Sequence, residues 1–245
     1  MRFVDSHLHI DWPEQPQVLA QASACQTLLF ACGTDEVTSG QVLKQAETAP
    51  STVKAFVGLH PSEVTPASSL GWIPPYLEKA TGLGEVGVDP KYSPVSSGSA
   101  QVTAFEAQLE AAQSQRKPVQ VHSRGAETRC LELLGGFSLK SVLMHWFQSE
   151  ECLREVLDRG YFVSFGPPIL YSKKVQRLAA RCGPDRSLTE TDSPISYGPI
   201  GGVHGPVLVG SVVFKLAEIW RTNFEQARST VMANAIRYLG PPEKG

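Results

Sequence analysis

The sequence predicts a (β/α)8 barrel, in which eight parallel strands form a closed sheet and a helix follows each strand. Short apolar or β-branched runs alternate with longer helical stretches along the chain, which is the pattern of βα units. The 245 residues are enough for one barrel of this kind. No linker, internal repeat or low-complexity stretch divides the chain, so we expect a single domain over residues 1–245.

The first half of the chain contains four predicted strands. The second of them reads Thr-Leu-Leu-Phe-Ala and is nearly all apolar, as expected of a strand that is covered on both faces. The third stops before Pro61, because proline disfavours continuation of a strand. We predict strands at 3–6, 27–31, 53–59 and 81–86. We predict helices at 15–24, at 34–48 with Thr34 as the cap, and at 72–80 with Pro74 and Pro75 near its first turn.

The second half repeats this alternation. Its clearest helix covers 100–116, where apolar residues such as Phe105 and Leu109 recur at helical spacing. Gly160 and Gly183 follow two other helices, and glycine is a common stop at that position. Strands are predicted at 118–121, 141–144, 161–165 and 186–189. The remaining helices are predicted at 128–134, 150–158, 172–181, 211–221 and 224–238, and two long loops at 90–98 and 193–210.

Charge and cysteine content limit the function and the compartment. The net charge is −2, and the chain has no basic stripe like those of proteins that bind duplex nucleic acid without sequence preference. A nucleic-acid substrate would therefore be held locally, by metal and a few cations. The five cysteines are scattered without a Cys-x-x-Cys pair, which indicates reduced thiols in a cytoplasmic protein. No export signal and no apolar run of about 18 residues is present, so we expect no membrane insertion.

Residues of the types that bind metals stand where the predicted strands end. His7 and His9 are two residues apart at the end of the first strand, and such residues share a face. Active-site residues of a (β/α)8 barrel lie at the carboxyl ends of its strands. Each such residue alone is more often a hydrogen-bonded core histidine or a solvated charge, but six at one face indicate a metal site. The other four are Glu85, His122, His145 and Asp192.

These six residues are too many for a single ion. One tetrahedral ion needs four ligands, whereas the chain offers four imidazoles and two carboxylates. They suit two ions that share a bridging carboxylate or water, and such a pair lowers the pKa of bound water and stabilises the attacking and leaving oxygens. Imidazole favours Zn²⁺ or Mn²⁺, whereas Mg²⁺ prefers oxygen ligands. We therefore expect two divalent ions per chain, with Zn²⁺, Mn²⁺ and Mg²⁺ left open.

Longer motifs support a more specific interpretation. Two are especially distinctive, Asp-Ser-His-Leu-His at 5–9 and Glu-Thr-Asp-Ser-Pro at 190–194. Others are Gly-Leu-His-Pro at 58–61, Gly-Glu-Val-Gly-Val-Asp at 84–89, Arg-Lys-Pro-Val-Gln-Val-His-Ser-Arg at 116–124, His145 with Phe147, Gly-Tyr-Phe-Val-Ser-Phe at 160–165, and Asn234 with Arg237. With these motifs the chain resembles the TatD-related metal-dependent DNases, within the amidohydrolase-like barrels.

The resemblance implies a role for each ligand. Asp192 would also accept a proton from the attacking water, so that Asp192 and Glu85 would be the catalytic carboxylates. One ion would be held by His7, His9 and Asp192 and the second by His122 and His145, with Glu85 as the bridge.

Three further residues receive roles outside the ligand set. Arg124 and His60 would bind an oxygen of the scissile group, although His60 could instead be a rim residue. Asp5 would either support a metal-binding histidine or make a structural hydrogen bond at the barrel rim.

The sequence also departs from the family pattern at the substrate rim. Family members commonly carry an Arg-rich segment that ends in Arg-Asn-Glu-Pro after the Asp-Ser-Pro motif, whereas residues 201–206 here read Gly-Gly-Val-His-Gly-Pro. The usual His-Cys-Phe-Ser-Gly is His-Trp-Phe-Gln-Ser at 145–149. The ligands are kept while the rim has changed, so hydrolytic chemistry is better supported than DNA as the substrate.

Three functions therefore compete. The first is a metal-dependent deoxyribonuclease that acts on DNA ends or single strands, whose bases could stack on Trp12, Trp146 or Tyr197 unless these rings are packed. The alternative is a metallohydrolase of the same barrel that acts on a small phosphoester, amide or lactone. A non-catalytic binding protein would be expected to have lost a ligand, yet all six are present. The oligomeric state is open, with a monomer as the default.

Overall fold

Eight parallel strands form one sheet in the computed structural model, which describes residues 2–10, 15–95 and 98–240. Their order in the sheet is their order in the chain, and each neighbouring pair is parallel. The strands are β1 (Phe3–Leu8), β2 (Thr27–Cys32), β3 (Val53–Val57), β4 (Gly82–Gly87), β5 (Val119–His122), β6 (Val142–Met144), β7 (Phe162–Phe165) and β8 (Ser187–Thr189).

Helices connect these strands and cover the sheet, as the alternating pattern predicts. None of the described helices is long and apolar enough to cross a membrane. The helices are α1 (Gln15–Ala24), α2 (Glu36–Thr48), α3 (Ile73–Lys79), α4 (Ala100–Ser114), α5 (Glu127–Leu134), α6 (Leu153–Asp158), α7 (Lys173–Cys182), α8 (Val209–Trp220) and α9 (Phe224–Leu239).

The sheet curves until β8 lies beside β1. The Asp192 N–H donates to the His7 carbonyl at 3.0 Å, and the His9 N–H donates to the Ser193 carbonyl at 2.8 Å. Lower in the same seam, the Thr189 hydroxyl donates to the Val4 carbonyl. The predicted (β/α)8 barrel is therefore confirmed, and the carboxyl ends of all eight strands meet at one face.

Aromatic rings pack in the core of the barrel. Tyr238, near the end of α9, is fully buried against Phe30 and Phe56, with ring centroids 6.1 Å away in each case. Phe162 meets the same tyrosine edge-on at 5.8 Å. This apolar core fixes the strands on which the polar face above it is built.

The predicted element boundaries differ from the structure in a few places. Asp35, not Thr34, caps α2. Its carboxylate accepts a hydrogen bond from the Thr38 N–H, and the Thr38 hydroxyl oxygen accepts one from the Asp35 N–H in return. The strand β1 continues to Leu8, so His7 lies within it. The strand β3 ends at Val57, two residues early, and α6 begins only at Leu153 because a turn precedes it.

Candidate metal centre

Glu85 lies at the centre of the polar face, and its two carboxylate oxygens face different imidazoles. Its Oε2 atom is 3.3 Å from His7 Nε2 and 3.4 Å from His9 Nε2. Its Oε1 atom is 2.6 Å from His122 Nδ1 and 3.4 Å from His145 Nε2. One buried carboxylate on β4 thus stands between two pairs of histidines from β1, β5 and the end of β6.

Asp192 completes the group on the β1 side. Its Oδ1 atom is 3.7 Å from His7 Nε2 and 3.6 Å from His9 Nε2. The residue has a φ of 50°, a left-handed conformation that aspartate tolerates better than most residues. Ligand atoms of His7, His9 and Asp192 all lie within 4.8 Å of one another, so these three side chains can hold one ion.

His60 joins the group on the other side of Glu85. Its Nε2 atom is 3.6 Å from Glu85 Oε1 and 3.4 Å from His122 Nδ1, so that His60, Glu85 and His122 form a second possible ligand group. His145 forms a third with His7 and Glu85. The sequence interpretation placed His60 among the substrate contacts. The structure brings it nearly as close to Glu85 as His7, His9 and His145 are.

The donor atoms of these groups fit a divalent ion. The Nε2 atom of His7 is buried and has no hydrogen-bond partner among the described residues. Its Nδ1–H donates to Gln120 Oε1 at 2.6 Å, and the tautomer that this bond favours directs the lone pair of Nε2 toward the carboxylates, where a metal could bind. A buried lone pair without a hydrogen-bond partner is costly, and a metal ion is the partner that nitrogen and carboxylate donors in this arrangement suit.

The other ring nitrogen of each predicted imidazole ligand is fixed from behind. His9 Nδ1–H donates to the Cys32 carbonyl at 2.9 Å. Three further groups take this role, and the sequence interpretation assigned a role to none of them. They are Gln120 behind His7, Asp89 Oδ2 at 2.8 Å from His122 Nε2, and Glu190 Oε2 at 2.8 Å from His145 Nδ1. Such partners set the tautomer and orientation of ligand histidines.

Charges around Glu85 and His145 shift the pKa values of both groups. Burial acts to raise the pKa of the Glu85 carboxyl, but the surrounding imidazoles, His60 and His7 foremost, hold it well below its usual value. Burial acts to lower the pKa of His145, but Glu190 and Glu85 raise it to about 10. In the protein without metal, a negative Glu85 therefore faces a positive His145.

Two more carboxylates at the site have shifted pKa values. Burial raises the pKa of Asp192, and the imidazoles of His145, His7 and His9 only partly oppose this. Burial also acts to raise the pKa of Asp89, but hydrogen bonds from His122 and the Lys91 backbone, with Arg124, lower it to about 2. Asp89 is therefore ionised at every pH at which the protein would work.

Glu190 is expected to control how tightly the centre binds metal. Its carboxylate is buried and accepts from His145 Nδ1–H, from the Ser164 hydroxyl at 2.6 Å and from the Trp146 N–H at 3.2 Å. Glutamine has one acceptor oxygen and cannot satisfy donors at both ends. Glu190→Gln should therefore weaken Zn²⁺ binding by roughly 10- to 100-fold, measured by competition with a chromogenic chelator.

The matched control for this substitution is Glu132→Gln. The Glu132 side chain is exposed on α5 and pairs with Arg129 rather than with a histidine. It should leave Zn²⁺ affinity unchanged. Equal affinity of Glu190→Gln and the wild type would show that Glu190 is a structural acceptor only.

The candidate metal centre opens into a cleft of about 800 Å³. Arg124 and His60, the predicted substrate contacts, both line it. The Arg124 side chain is 51% exposed and pairs with Asp89 Oδ2 through one terminal nitrogen at 2.6 Å and Nε at 2.9 Å. Lys174 also lines the cleft, and Glu63 and Glu127 are the carboxylates at its edge.

The remaining predicted positions differ in their relation to the cleft. Asp5 accepts from the Thr191 N–H and hydroxyl, so it makes the structural hydrogen bond rather than supporting a histidine ring. Tyr197 is buried, and its hydroxyl donates to the Thr191 carbonyl, which leaves no face for a base. Trp146 lines the cleft, and Trp12 lies outside the described residues.

Comparison with known proteins gives consistent matches over nearly the whole chain. A family model described as TatD related DNase matches residues 4–240. The human protein named Deoxyribonuclease TATDN3 is 26% identical over 96% of this chain and 93% of its own. The protein of Citrobacter rodentium named 3'-5' ssDNA/RNA exonuclease TatD is 28% identical over 67% of this chain and 66% of its own.

A solved structure matches the fold equally well. The crystal structure of YJJV, a TatD homologue from Escherichia coli K12, superposes with a TM-score of 0.87 over 98% of both chains at 24% sequence identity. An uncharacterized metal-dependent hydrolase of Escherichia coli K12, YcfH, is 30% identical over 65% of this chain and 63% of its own.

Proposed function

This chain belongs to the TatD-related DNase family and is a metal-dependent hydrolase of the DNase type; we propose that it cleaves phosphodiester bonds at DNA ends or in single strands with the help of two divalent ions. The proposal of two ions rests on the position of Glu85, whose two oxygens face separate pairs of imidazoles. A single carboxylate placed in this way suits a bridge between two ions.

We assign the ligands as the motifs imply. Two ions held in this way would supply a hydroxide near neutral pH and stabilise the charge that develops on the phosphate. Zn²⁺ and Mn²⁺ suit the imidazole-rich donors better than Mg²⁺. His7, His9 and Asp192 would hold one ion and His122 and His145 the other, with Glu85 between them and His60 beside the second.

The protein groups around the ions have separate tasks. Asp192 is the candidate general base, because its carboxylate lies at the ligand cluster and also lines the cleft from which water and substrate arrive. Arg124 pairs with Asp89 through Nε and one terminal nitrogen and also contacts the Tyr92 side chain, and its half-exposed guanidinium lines the cleft, where it can bind a phosphate oxygen. Trp146, on the His145 side, offers an aromatic wall.

The second candidate is a hydrolase of a small phosphoester, amide or lactone. It is favoured by the rim segment 201–206, which adds no cation to the cleft. Among the described residues that line the cleft, the cations are Arg124 and Lys174. Two cations can hold a short nucleic-acid end but not a long duplex, so we keep DNA ends and single strands as the first candidate.

Metal-dependent turnover separates these candidates. The protein is stripped with a chelator, and Mg²⁺, Mn²⁺, Co²⁺ or Zn²⁺ is added singly with labelled single- and double-stranded DNA beside bis-p-nitrophenyl phosphate. Loss of nucleotides from DNA only with metal supports the nuclease and identifies the usable ion. Cleavage of the generic ester without cleavage of DNA would overturn DNA as the substrate and support the small-molecule alternative.

Metal binding should release a proton from His145. Because Glu190 and Glu85 raise its pKa to about 10, the ring carries protons on both nitrogens at pH 7 in the protein without metal. An ion needs the lone pair of Nε2, so binding displaces that proton. Affinity for Zn²⁺ should therefore fall as pH falls, by about tenfold per pH unit for one proton between pH 8 and pH 6.

Calorimetry in two buffers of different ionisation enthalpy counts the released protons directly. His204→Ala removes a histidine of the 201–206 segment and should leave the count unchanged. An affinity that does not vary with pH would contradict the assignment of His145.

We also propose that the chain works as a monomer in a reducing compartment such as the cytoplasm. All five cysteines are free thiols in the structure, and three of them are buried. Burial raises the pKa of Cys130 to about 12 and of Cys182 to about 11, so these two thiols are unreactive at neutral pH.

A further inference from the structure

Tyr92 is an aromatic side chain of the cleft that the ligand motifs do not account for. It follows β4 in the turn that begins at Asp89, where the Tyr92 N–H donates to the Asp89 carbonyl at 3.2 Å. The residue is 44% exposed, yet it lines the same cleft as His60 and His122. A ring that is half open to solvent inside the cleft is available to contact a substrate there.

The Tyr92 ring has defined neighbours. It meets the His60 ring edge-on, with centroids 5.8 Å apart and planes at 71°. The Arg124 guanidinium carbon lies 5.4 Å from the ring centroid and Lys91 Nζ lies 5.7 Å from it. His60 in turn is 3.6 Å from Glu85 Oε1, so the ring is one residue removed from the candidate metal centre.

We propose that Tyr92 forms a nucleobase subsite. The base next to the cleaved phosphate would stack on the Tyr92 ring. This inference rests on the proposed function, because it names the substrate feature that the same cleft recognises. Aromatic rings accept any base by stacking, and the Tyr92 ring keeps exposed surface for a base although Lys91 and Arg124 lie over part of it. These two cations suit the phosphates that flank a base. A single strand or a frayed end can present its base in this way, whereas a paired duplex cannot.

Trp146 also lines the cleft, and its side chain is less exposed than that of Tyr92. Trp146 meets the His145 ring edge-on, with centroids 6.2 Å apart and planes at 86°. It also packs against the buried Tyr197 at 6.1 Å, so part of its surface is already covered. His60 and His145 lie on the same side of Glu85, and each has an aromatic neighbour at the cleft. Tyr92 therefore has more ring surface open to a base than Trp146 has.

The test compares substrates with and without the base. Short single-stranded DNA is made with normal nucleotides or with one abasic nucleotide on either side of the cleaved bond. The variants are Tyr92→Ala, Tyr92→Phe, which keeps the ring, and Tyr171→Ala, which removes a tyrosine of similar exposure (41%) outside the cleft lining. Bound Zn²⁺ is counted in each variant to show that the metal centre is unchanged.

On normal DNA, Tyr92→Ala should raise KM by about tenfold with kcat nearly unchanged, whereas Tyr92→Phe and Tyr171→Ala should resemble the wild type. On DNA that is abasic at one of the two positions, the wild type should show the same rise and Tyr92→Ala should add nothing to it. Equal KM values for Tyr92→Ala and the wild type on normal DNA would overturn the subsite. The subsite would also be overturned if Tyr92→Ala raised KM above the wild-type value by the same factor on normal DNA and on both abasic strands.

The two levels of the proposal fail in different ways. A wild-type protein that cleaves normal DNA but shows no dependence on Tyr92 overturns only the subsite. A wild-type protein with full metal content that cleaves no DNA at all overturns the nuclease, and the nucleobase subsite with it.

Discussion

Asp192→Asn lowers kcat for metal-dependent phosphodiester cleavage by about a thousandfold, which is the first result that we expect from mutagenesis. Asparagine has nearly the same shape, so the packing against His7 and His9 remains. It carries no charge to bind an ion and cannot take a proton from water. The measurement is steady-state hydrolysis of labelled single-stranded DNA with saturating Mn²⁺, together with circular dichroism and thermal unfolding to check the fold.

The control for Asp192→Asn is Asp158→Asn, which makes the same chemical change at a side chain that is 71% exposed on α6. This control should keep wild-type kcat and a wild-type Tm. If Asp192→Asn were folded and fully active, Asp192 could be neither a required ligand nor the base, and the assignment of the site would be wrong.

Glu85→Gln should reduce the bound metal from the two equivalents that we propose to one, the second large effect. The carboxylate can face His7 and His9 with one oxygen and His122 and His145 with the other, whereas glutamine has an oxygen at one end and an NH2 group at the other. A cation next to the NH2 group loses a ligand and meets a positive dipole. We expect kcat to fall by at least about a hundredfold, because a centre that holds one ion would lack the second ion's help in activating water and stabilising the leaving oxygen.

Elemental analysis of dialysed protein measures the metal content of Glu85→Gln directly. Glu63→Gln makes the same change at the edge of the same cleft and should retain both ions. Two equivalents of metal in folded Glu85→Gln would show that the two sites do not depend on a bridging carboxylate.

The sequence was most informative where a residue's position along the chain alone determines its place in the fold. Alternation puts His7 and His9 on one face of β1, and parallel strands bring their carboxyl ends together. For this reason six residues that are far apart in sequence could be predicted to meet, and the structure brings them together around Glu85. Strand boundaries were less certain because the ends of strands carry weak sequence signals.

Groups that act across the barrel gave no comparable signal. Gln120 looks like any polar residue in a strand, and only the fold places its amide oxygen 2.6 Å from His7 Nδ1. Asp89 and Glu190 stand inside recognisable motifs, which could have pointed to them, but their partners lie 33 and 45 residues away. Tyr92 sits in a loop without periodicity, where no pattern indicates which way a side chain faces.

The seam between β1 and β8 links the metal centre to the closing of the chain into a ring. Asp5 and Thr191 meet there across 186 positions of sequence, and joining segments so far apart costs chain entropy that grows with the logarithm of the loop length. An ion held by His7, His9 and Asp192 would cross the same seam and act as a reversible cross-link around almost the whole barrel. The free energy of ion binding would then be added to the stability of this closure, so that occupancy and resistance to local opening rise together.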